Sequence, residues 1–311
     1  MEISVVIPVY NEESNLDVLF SSLLDVFSAK IQTSWEVIFV DDGSLDESWS
    51  KISDLAKNHN MVKGFRFSRN FGHQYALKAG LDMATGSAVI SMDADMQHPP
   101  MLLADFYQEW KNGNQIVYAV RRDTKGVGSG KKLSSRMFYK VMNFLSDIKI
   151  EDGASDFRLL DRKVVDQIKG MQEYFLFIRG IVSWVGFKAK SIEYVAEARH
   201  SGKSKFTLSK MLRFGTDGIM SFSIKPLRLA TLLGFIISSF AFVYIIYALI
   251  AKYILHNTFS GWTSLLISIL LMGGIQLITI GIIGEYIGKL FMEIKKRPRY
   301  IISETIENQQ N

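Results

Sequence analysis

The stretch AVISMDADMQHPP, residues 88–100, decides how this chain is read. Ala88 to Met92 is a short apolar run suited to a buried strand, and Asp93 and Asp95 follow at its exit, one residue apart. On extended backbone, residues two apart point to the same side, so the two carboxylates can reach one ligand set. Pro99 and Pro100 suit the first turn of a helix, which puts the acids on a strand-to-helix turn, where open α/β sheets bind ligands.

Outward from this point the same rhythm repeats. Ile3–Val9, Glu36–Val40, Lys63–Phe67 and Gln115–Val120 are short apolar, β-branched runs, and between them Glu13–Ser28, Leu45–Asn58 and Gly72–Ala84 carry apolar residues at three- and four-residue spacing. Alternating strands and helices predict an α/β fold with a mainly parallel, Rossmann-like sheet covered by helices on both faces. Polar residues collect at the strand exits: Pro8, Tyr10, Asn11 and Glu12 after the first, Asp41, Asp42, Gly43 and Ser44 after the second, Ser68 and Arg69 after the third, and the aspartate pair after the fourth. Four polar exits at one end of a sheet predict a binding crevice there.

The composition, 311 residues with 48% hydrophobic and 22% charged, describes a globular chain rather than a disordered one. The average hides a split. No charged residue occurs from Leu229 to Ala251, or again from Tyr253 to Gly284. Each stretch exceeds the roughly 20 apolar residues that cross a bilayer as a helix, so two transmembrane helices are predicted, at about 229–251 and about 262–284. Lys225 and Arg228 precede the pair, and Lys289, Lys295, Lys296, Arg297 and Arg299 follow it, so the positive-inside rule puts both ends and the preceding domain on the cytoplasmic side. Glu2 and the run Ile3–Val9 lack the basic leader and cleavage site of a signal peptide. The absence of cysteine excludes disulfides, thiol catalysis and cysteine metal sites.

The expected organisation is therefore a cytoplasmic α/β domain over 1–205, an amphipathic interfacial helix over 206–225, a membrane hairpin over 226–290 and a basic tail over 291–311, with Ser303–Asn311 frayed. Arg121 to Lys140 is a basic loop containing GVGSG. It makes a poor dinucleotide fingerprint because it does not sit on the first strand turn. Gly202-Lys203-Ser204 ends like a Walker A loop, but Glu197 stands where that motif needs glycine.

VVIPVYNEE, VDDGS and MDADMQHPP closely resemble the family-2 glycosyltransferases of the GT-A fold. GASDFRLLDR and RHSGKSKF, followed by two apolar helices, resemble the branch that transfers a sugar from a nucleotide to a polyprenyl phosphate, the dolichyl-phosphate-mannose-synthase-like and bactoprenol glucosyltransferase group. The resemblance covers nearly the whole chain. It implies that Asp41 contacts the nucleobase and Asp42 supports the nucleoside, with Pro8, Tyr10 and Glu12 lining the same pocket. It implies that Asp93 faces ribose and metal, that Asp95 coordinates the metal directly, and that Gln97 shapes this site. Mg²⁺ or Mn²⁺ is the implied cofactor, in keeping with oxygen ligands and no cysteine. His98 is read as a local polar residue rather than a ligand.

Asp156 maps to the acceptor-side acid, as general base or as a group that orients the acceptor; a salt bridge from Asp156 to an arginine is the structural alternative. Arg199, Ser204 and Lys205 are implied to close over the diphosphate, and Arg121, Arg122, Lys131, Lys132 and Arg136 are read as ligands of acceptor phosphate or lipid headgroups. The implied partners are a nucleotide sugar, UDP-glucose being favoured, polyprenyl (undecaprenyl) phosphate and membrane lipids, with no nucleic acid. The implied location is the bacterial cytoplasmic membrane. Gly273, Gly274, Gly281, Gly284 and Gly288 would permit close helix packing, within a subunit or in a homo-oligomer. Mannosyl or other sugar transfer to the same lipid is the nearer alternative. A processive polysaccharide synthase would need a QxxRW motif and more spans, neither of which is present. A non-catalytic nucleotide-sugar-binding scaffold is the alternative from another class, and the intact Asp93, Asp95 and Asp156 speak against it.

Overall fold

The computed structural model describes residues 1–122, 144–145, 154–171, 173–195, 220, 223–254 and 261–307. Within these, β1 (Ile3–Val9) is buried along its whole length, as a strand covered on both faces must be. Its side chains alternate between two cores: Ile3, Val5, Ile7 and Val9 enter one, and Val6 the other. The chain continues through α1 (Leu16–Val26), β2 (Trp35–Asp41), α2 (Ser48–Asn58), β3 (Val62–Phe67), α3 (His73–Met83), β4 (Ala88–Ser91), α4 (Leu102–Lys111) and β5 (Ile116–Arg122). After residues outside the description come β6 (Ala154–Asp161), α5 (Arg162–Gly170), α6 (Ile178–Trp184) and β7 (Ala189–Val195). Last are α7 (Lys225–Tyr253), α8 (Trp262–Ile294) and β8 (Ile302–Ile306).

The eight strands form one sheet in the order β7-β5-β6-β4-β1-β2-β3-β8. The pairs β1–β2, β1–β4, β2–β3 and β5–β7 are parallel, while β6 runs antiparallel to β4 and β5, and β8 antiparallel to β3. The chain leaves β1 toward β2 and β3 on one side and returns as β4 on the other, which makes the β1–β4 boundary the switch point of the sheet. Helix α3 crosses close over β1: a Cβ built on Gly80 would lie 2.1 Å from Val6 Cγ1, so glycine sets that separation.

Two expectations need correction. Residues 302–306 are not a frayed end but β8, paired along Gly64 to Phe67. The strand forms because β3 offers an unpaired edge and because Trp49 Nε1 and Arg66 Nη1 both donate to Glu304, at 3.0 and 2.9 Å. Phe67 stacks on Tyr300 just upstream, with ring centroids 5.0 Å apart. The second apolar helix does not stop near 284 but runs to Ile294, and its last turns meet the sheet domain, where Glu293 accepts the Tyr174 N–H at 2.7 Å. Both α7 and α8 are long and apolar enough to cross a membrane, and the most apolar 18-residue window of each is not buried in the protein. Rows of exposed leucine, isoleucine and phenylalanine on such helices are what a lipid environment covers. The predicted interfacial helix over 206–225 falls largely outside the described residues.

Candidate active site

The crevice begins where two strands part. Pairing of β1 with β4 ends at Val6–Ser91, whereas pairing of β1 with β2 continues to Val9–Asp41. Pro8 therefore stands where β1 has a neighbour on one side only, a position that tolerates a missing N–H. A cleft of about 140 Å³ lies here, lined by Pro8, Tyr10, Asp42, Asn70, Gly72 and His73 among others.

The two aspartates after β2 have different surroundings. Asp41 is fully buried; it accepts the Ser44 N–H at 3.2 Å and pairs with Arg66 Nε at 3.3 Å. Burial nonetheless pushes its carboxyl up. Asp42 reaches the cleft and accepts the N–H groups of Phe71 at 2.7 Å and of Gly72 at 2.9 Å. Burial raises its pKa to about 6 despite these bonds. Gly43 has φ +70°, and a Cβ there would lie 2.5 Å from the Arg69 carbonyl carbon, so only glycine lets this turn touch the 68–72 loop. Glu12 sits at the rim, its N–H donating to Ser48 Oγ at 3.0 Å and its carboxylate accepting from Asn15 at 2.7 Å.

Across the crevice, the Asp93 N–H donates to His98 Nδ1 at 3.0 Å. His98 is buried and stacked on Phe157, with centroids 4.7 Å apart and planes 10° from parallel. Burial pushes its imidazole pKa down, which keeps it neutral and leaves Nδ1 able to accept. His98 thus fixes the turn that carries the aspartates, and its Nδ1 is taken. Asp95 Oδ1 accepts the Gln97 N–H at 3.1 Å over Met96, whose φ is +61°. Asp93 remains partly exposed, 3.5 Å from His73 Nε2. Among the described residues no group of three or more His, Cys, Asp or Glu converges to hold an ion on its own. A donor set of two carboxylates suits a hard divalent cation that completes its shell with phosphate oxygens and water, as Mg²⁺ does.

Asp156, on β6, lies beneath these groups and is 5% exposed. Arg179, on α6, grips it with two bonds, Nε to Oδ1 and Nη2 to Oδ2, both 3.0 Å. Arg158 Nη2 adds a contact at 3.3 Å and Gln74 Nε2 one at 3.1 Å. Burial alone would push the Asp156 carboxyl up, but the Arg179 and Arg158 guanidiniums outweigh it and hold the group well below the usual carboxylate range. A carboxylate so placed has little affinity for a proton, so the geometry favours positioning over general-base work. The Arg158 guanidinium, desolvated in turn, is lowered to about 10.

Sequence reading placed Asp42, Asp93, Asp95 and Asp156 at strand exits or on the β6 motif, and the fold gathers them at one end of the sheet with Pro8, Tyr10, Glu12 and Gln97. Asp41 is held beneath the cleft surface. Arg121 and Arg122 end β5, with the Arg121 side chain exposed. Lys131, Lys132, Arg136, Arg199, Ser204 and Lys205 lie outside the described residues. Three site residues were missed: His73, Gln74 and Arg179. The first two open α3, which was read only as a packing helix, and Arg179 lies on a short helix with no motif of its own. The signal open to the sequence was His73 directly after a glycine at the exit of the third strand.

Residues 4–169 match the profile of glycosyl transferase family 2, and residues 225–290 match the GtrB C-terminal hairpin. The sheet is that of a GT-A-type glycosyltransferase. The chain belongs to glycosyl transferase family 2. Its relatives include the glycosyltransferase YkcC of Bacillus subtilis (strain 168), 43% identical over 310 residues, covering 99% of this chain and 96% of that protein. The prophage bactoprenol glucosyl transferase homolog of Escherichia coli (strain K12) is 42% identical over 302 residues, with coverage of 97% and 98%. The bactoprenol glucosyl transferase of Shigella phage SfII is 41% identical over 305 residues, covering 98% of each chain.

Proposed function

We propose that this protein transfers a glucosyl unit from UDP-glucose to polyprenyl (undecaprenyl) phosphate at the cytoplasmic face of a bacterial membrane. The observation that carries the reading is the likeness, over almost the full length of both chains, to proteins named bactoprenol glucosyl transferase, which spans the acidic crevice and the apolar hairpin together. Asp42, Pro8 and Tyr10 bind the nucleoside, with Asp41 and Glu12 supporting the pocket from below and from its rim. Asp93 and Asp95 would hold Mg²⁺ or Mn²⁺, which when bound neutralises charge on the departing diphosphate. Gln97 shapes that turn, and Arg199, Ser204 and Lys205 close over the diphosphate.

In the reaction an acceptor phosphate oxygen bonds to the anomeric carbon while the bond from that carbon to the diphosphate oxygen breaks, with inversion, and the electron pair leaves with UDP. A phosphate monoester has a second pKa of about 6 and is largely ionised at neutral pH, so no strong base is required. Asp156 then serves to hold Arg158 and Arg179 in fixed positions at the crevice floor, while Arg121, Arg122, Lys131, Lys132 and Arg136 receive the acceptor phosphate. Orientation of two bound reactants supplies much of the rate enhancement in such a displacement.

The test is conversion of UDP-glucose and undecaprenyl phosphate to lipid-linked glucose by the purified full chain with Mg²⁺, read by mass spectrometry. Asp95→Ala is expected to lower the rate roughly 100-fold or more, the scale seen when one electrostatic stabiliser is removed. A folded wild-type protein that transfers from no nucleotide hexose would overturn the reading, and transfer from GDP-mannose alone would replace the sugar.

A further inference from the structure

Beyond its apolar end, α8 passes into Lys295, Lys296, Arg297, Pro298 and Arg299, where Lys296 takes φ +47° and the chain turns back to the sheet. At this junction lies a cavity of about 540 Å³, lined from α3, from the end of α5 and the segment after it, and from residues 293–299. Its walls carry Lys78, Lys169, Lys296, Arg297 and Arg299 against the acids Asp82 and Glu293. Asp82 is paired with one of these cations, and Glu173 stands beside Glu293 and Arg299, so five cations face three acids. Asp82 binds the Lys78 ammonium at 2.5 Å and the Tyr300 hydroxyl at 3.1 Å, and Glu293 accepts the Tyr174 N–H. Arg299 is oriented by donation to the Met171 carbonyl at 2.7 Å. Lys296 and Arg297 are exposed, and neither has an acidic partner among the described residues. Burial lowers the Lys78 pKa, and the charges of Arg299 and Lys169 lower it further against the opposing pull of Asp82. None of these residues lines the nucleotide cleft.

A cavity of this size with surplus cations takes a small anion-bearing group, and this one opens immediately after a candidate membrane span. An anionic leaflet presents phosphate groups at that depth. We propose that the cavity binds the phosphate of an anionic phospholipid headgroup, with Lys296 and Arg297 as the entering contacts and Lys169 and Arg299 as the deeper ones. The site would hold the sheet domain in one orientation against the bilayer. The inference rests on α7 and α8 as membrane spans and is independent of which sugar or acceptor the crevice uses.

The test uses the full chain in phosphatidylcholine nanodiscs with graded phosphatidylglycerol, and counts retained lipid by native mass spectrometry. Wild type is expected to retain one phosphatidylglycerol per chain. Lys296→Gln combined with Arg297→Gln is expected to weaken retention by roughly 25-fold, at about fivefold per juxtamembrane cation, and Lys169→Gln by about fivefold. Lys190→Gln, an exposed cation on β7 outside the cavity, serves as the control and is expected to change nothing. UDP affinity and thermal transition are read in parallel, so a loss of fold is recognised. Equal retention by wild type and the double variant overturns the site. Protection of the wild-type thermal transition by inorganic phosphate in pure phosphatidylcholine, matching that by phosphatidylglycerol, overturns the lipid assignment in favour of a free phosphate. A protein inactive in sugar transfer that still retains the lipid would leave this site standing and remove only the proposed reaction.

Discussion

Asp42 and Asp156 are both buried carboxylates at the same end of the same sheet, yet their environments drive them in opposite directions. Asp42 is answered by backbone N–H groups from Phe71 and Gly72, which carry only partial charge, and burial prevails to bring its pKa to about 6. Asp156 is buried as deeply, but two guanidiniums face it and hold its proton affinity far down. Dipoles satisfy a carboxylate's lone pairs; full charges decide its ionisation. One acid is therefore poised to respond to ligand and pH near neutrality, while the other is a fixed charge that positions arginines.

The contrast breaks most visibly at Asp156. Asp156→Asn removes the carboxylate that faces Arg158, 4% exposed at its side chain, and the partly buried Arg179. Removal of one partner from a buried pair costs about 3–5 kcal/mol, so a fall in unfolding free energy of that order is expected by denaturant titration in detergent. An unchanged unfolding free energy would mean that these ion pairs contribute nothing net to the fold.

Asp42→Asn is expected to act with the opposite sign. The raised pKa means the folded state holds a proton that the unfolded chain, with an aspartate pKa of about 3.9, releases. The stability contributed by Asp42 is fully present below about pH 4 and is lost as pH rises through about 6, a difference of roughly 3 kcal/mol by order of magnitude. The contribution of Asp156 is present above about pH 4 and is lost only in strong acid. Asp42→Asn should therefore grow more stable relative to wild type between pH 4 and 7, while UDP affinity should lack the step near pH 6 that is expected of wild type. A parallel pH profile for variant and wild type would show that Asp42 does not titrate in that range.

The sequence made the central strands legible because residues buried on both faces leave continuous apolar runs, and Ile3–Val9 appears in the fold with those bounds. It made the aspartates legible because they stand at strand exits. What it left hidden depends on contacts between distant segments. Arg179 lies 23 residues from Asp156, and nothing local marks the approach of their side chains. Likewise Ile302–Ile306 is short and half polar, and becomes a strand only because β3 presents an open edge. The β6 motif was recognised by its acids and arginines, while its strand went unread because polar residues interrupt it.

A smaller effect is expected at Gly43, which lets the Asp42 turn approach the loop that supplies its N–H donors. Gly43→Ala places a methyl 2.5 Å from Arg69 backbone in a left-handed conformation, so the loop must retreat. A loss of about 2 kcal/mol is expected, beyond the ordinary glycine-to-alanine difference, because the clash is with backbone. Retreat of the Phe71 and Gly72 N–H groups would weaken what remains of Asp42's solvation, so the pH step in UDP affinity should move upward. A step left in place would mean that the loop gives way without moving those two donors.

The smallest expected effect tests whether the end of the chain influences the nucleotide side. Glu304 on β8 holds Arg66 at 2.9 Å, and Arg66 in turn lies 3.3 Å from the fully buried Asp41. Glu304 is about half exposed, so Glu304→Gln should cost under about 1 kcal/mol in stability, as exposed ion pairs do. Arg66→Gln is a larger perturbation, because Asp41 then keeps its bonds to the Ser44 side chain and N–H but no facing cation against its burial. Of the two, only Arg66→Gln should weaken UDP binding measurably. If Glu304→Gln weakened it equally, β8 would have to be counted as part of the nucleotide site, coupled through Arg66, rather than as an edge strand that fastens the apolar hairpin to the sheet.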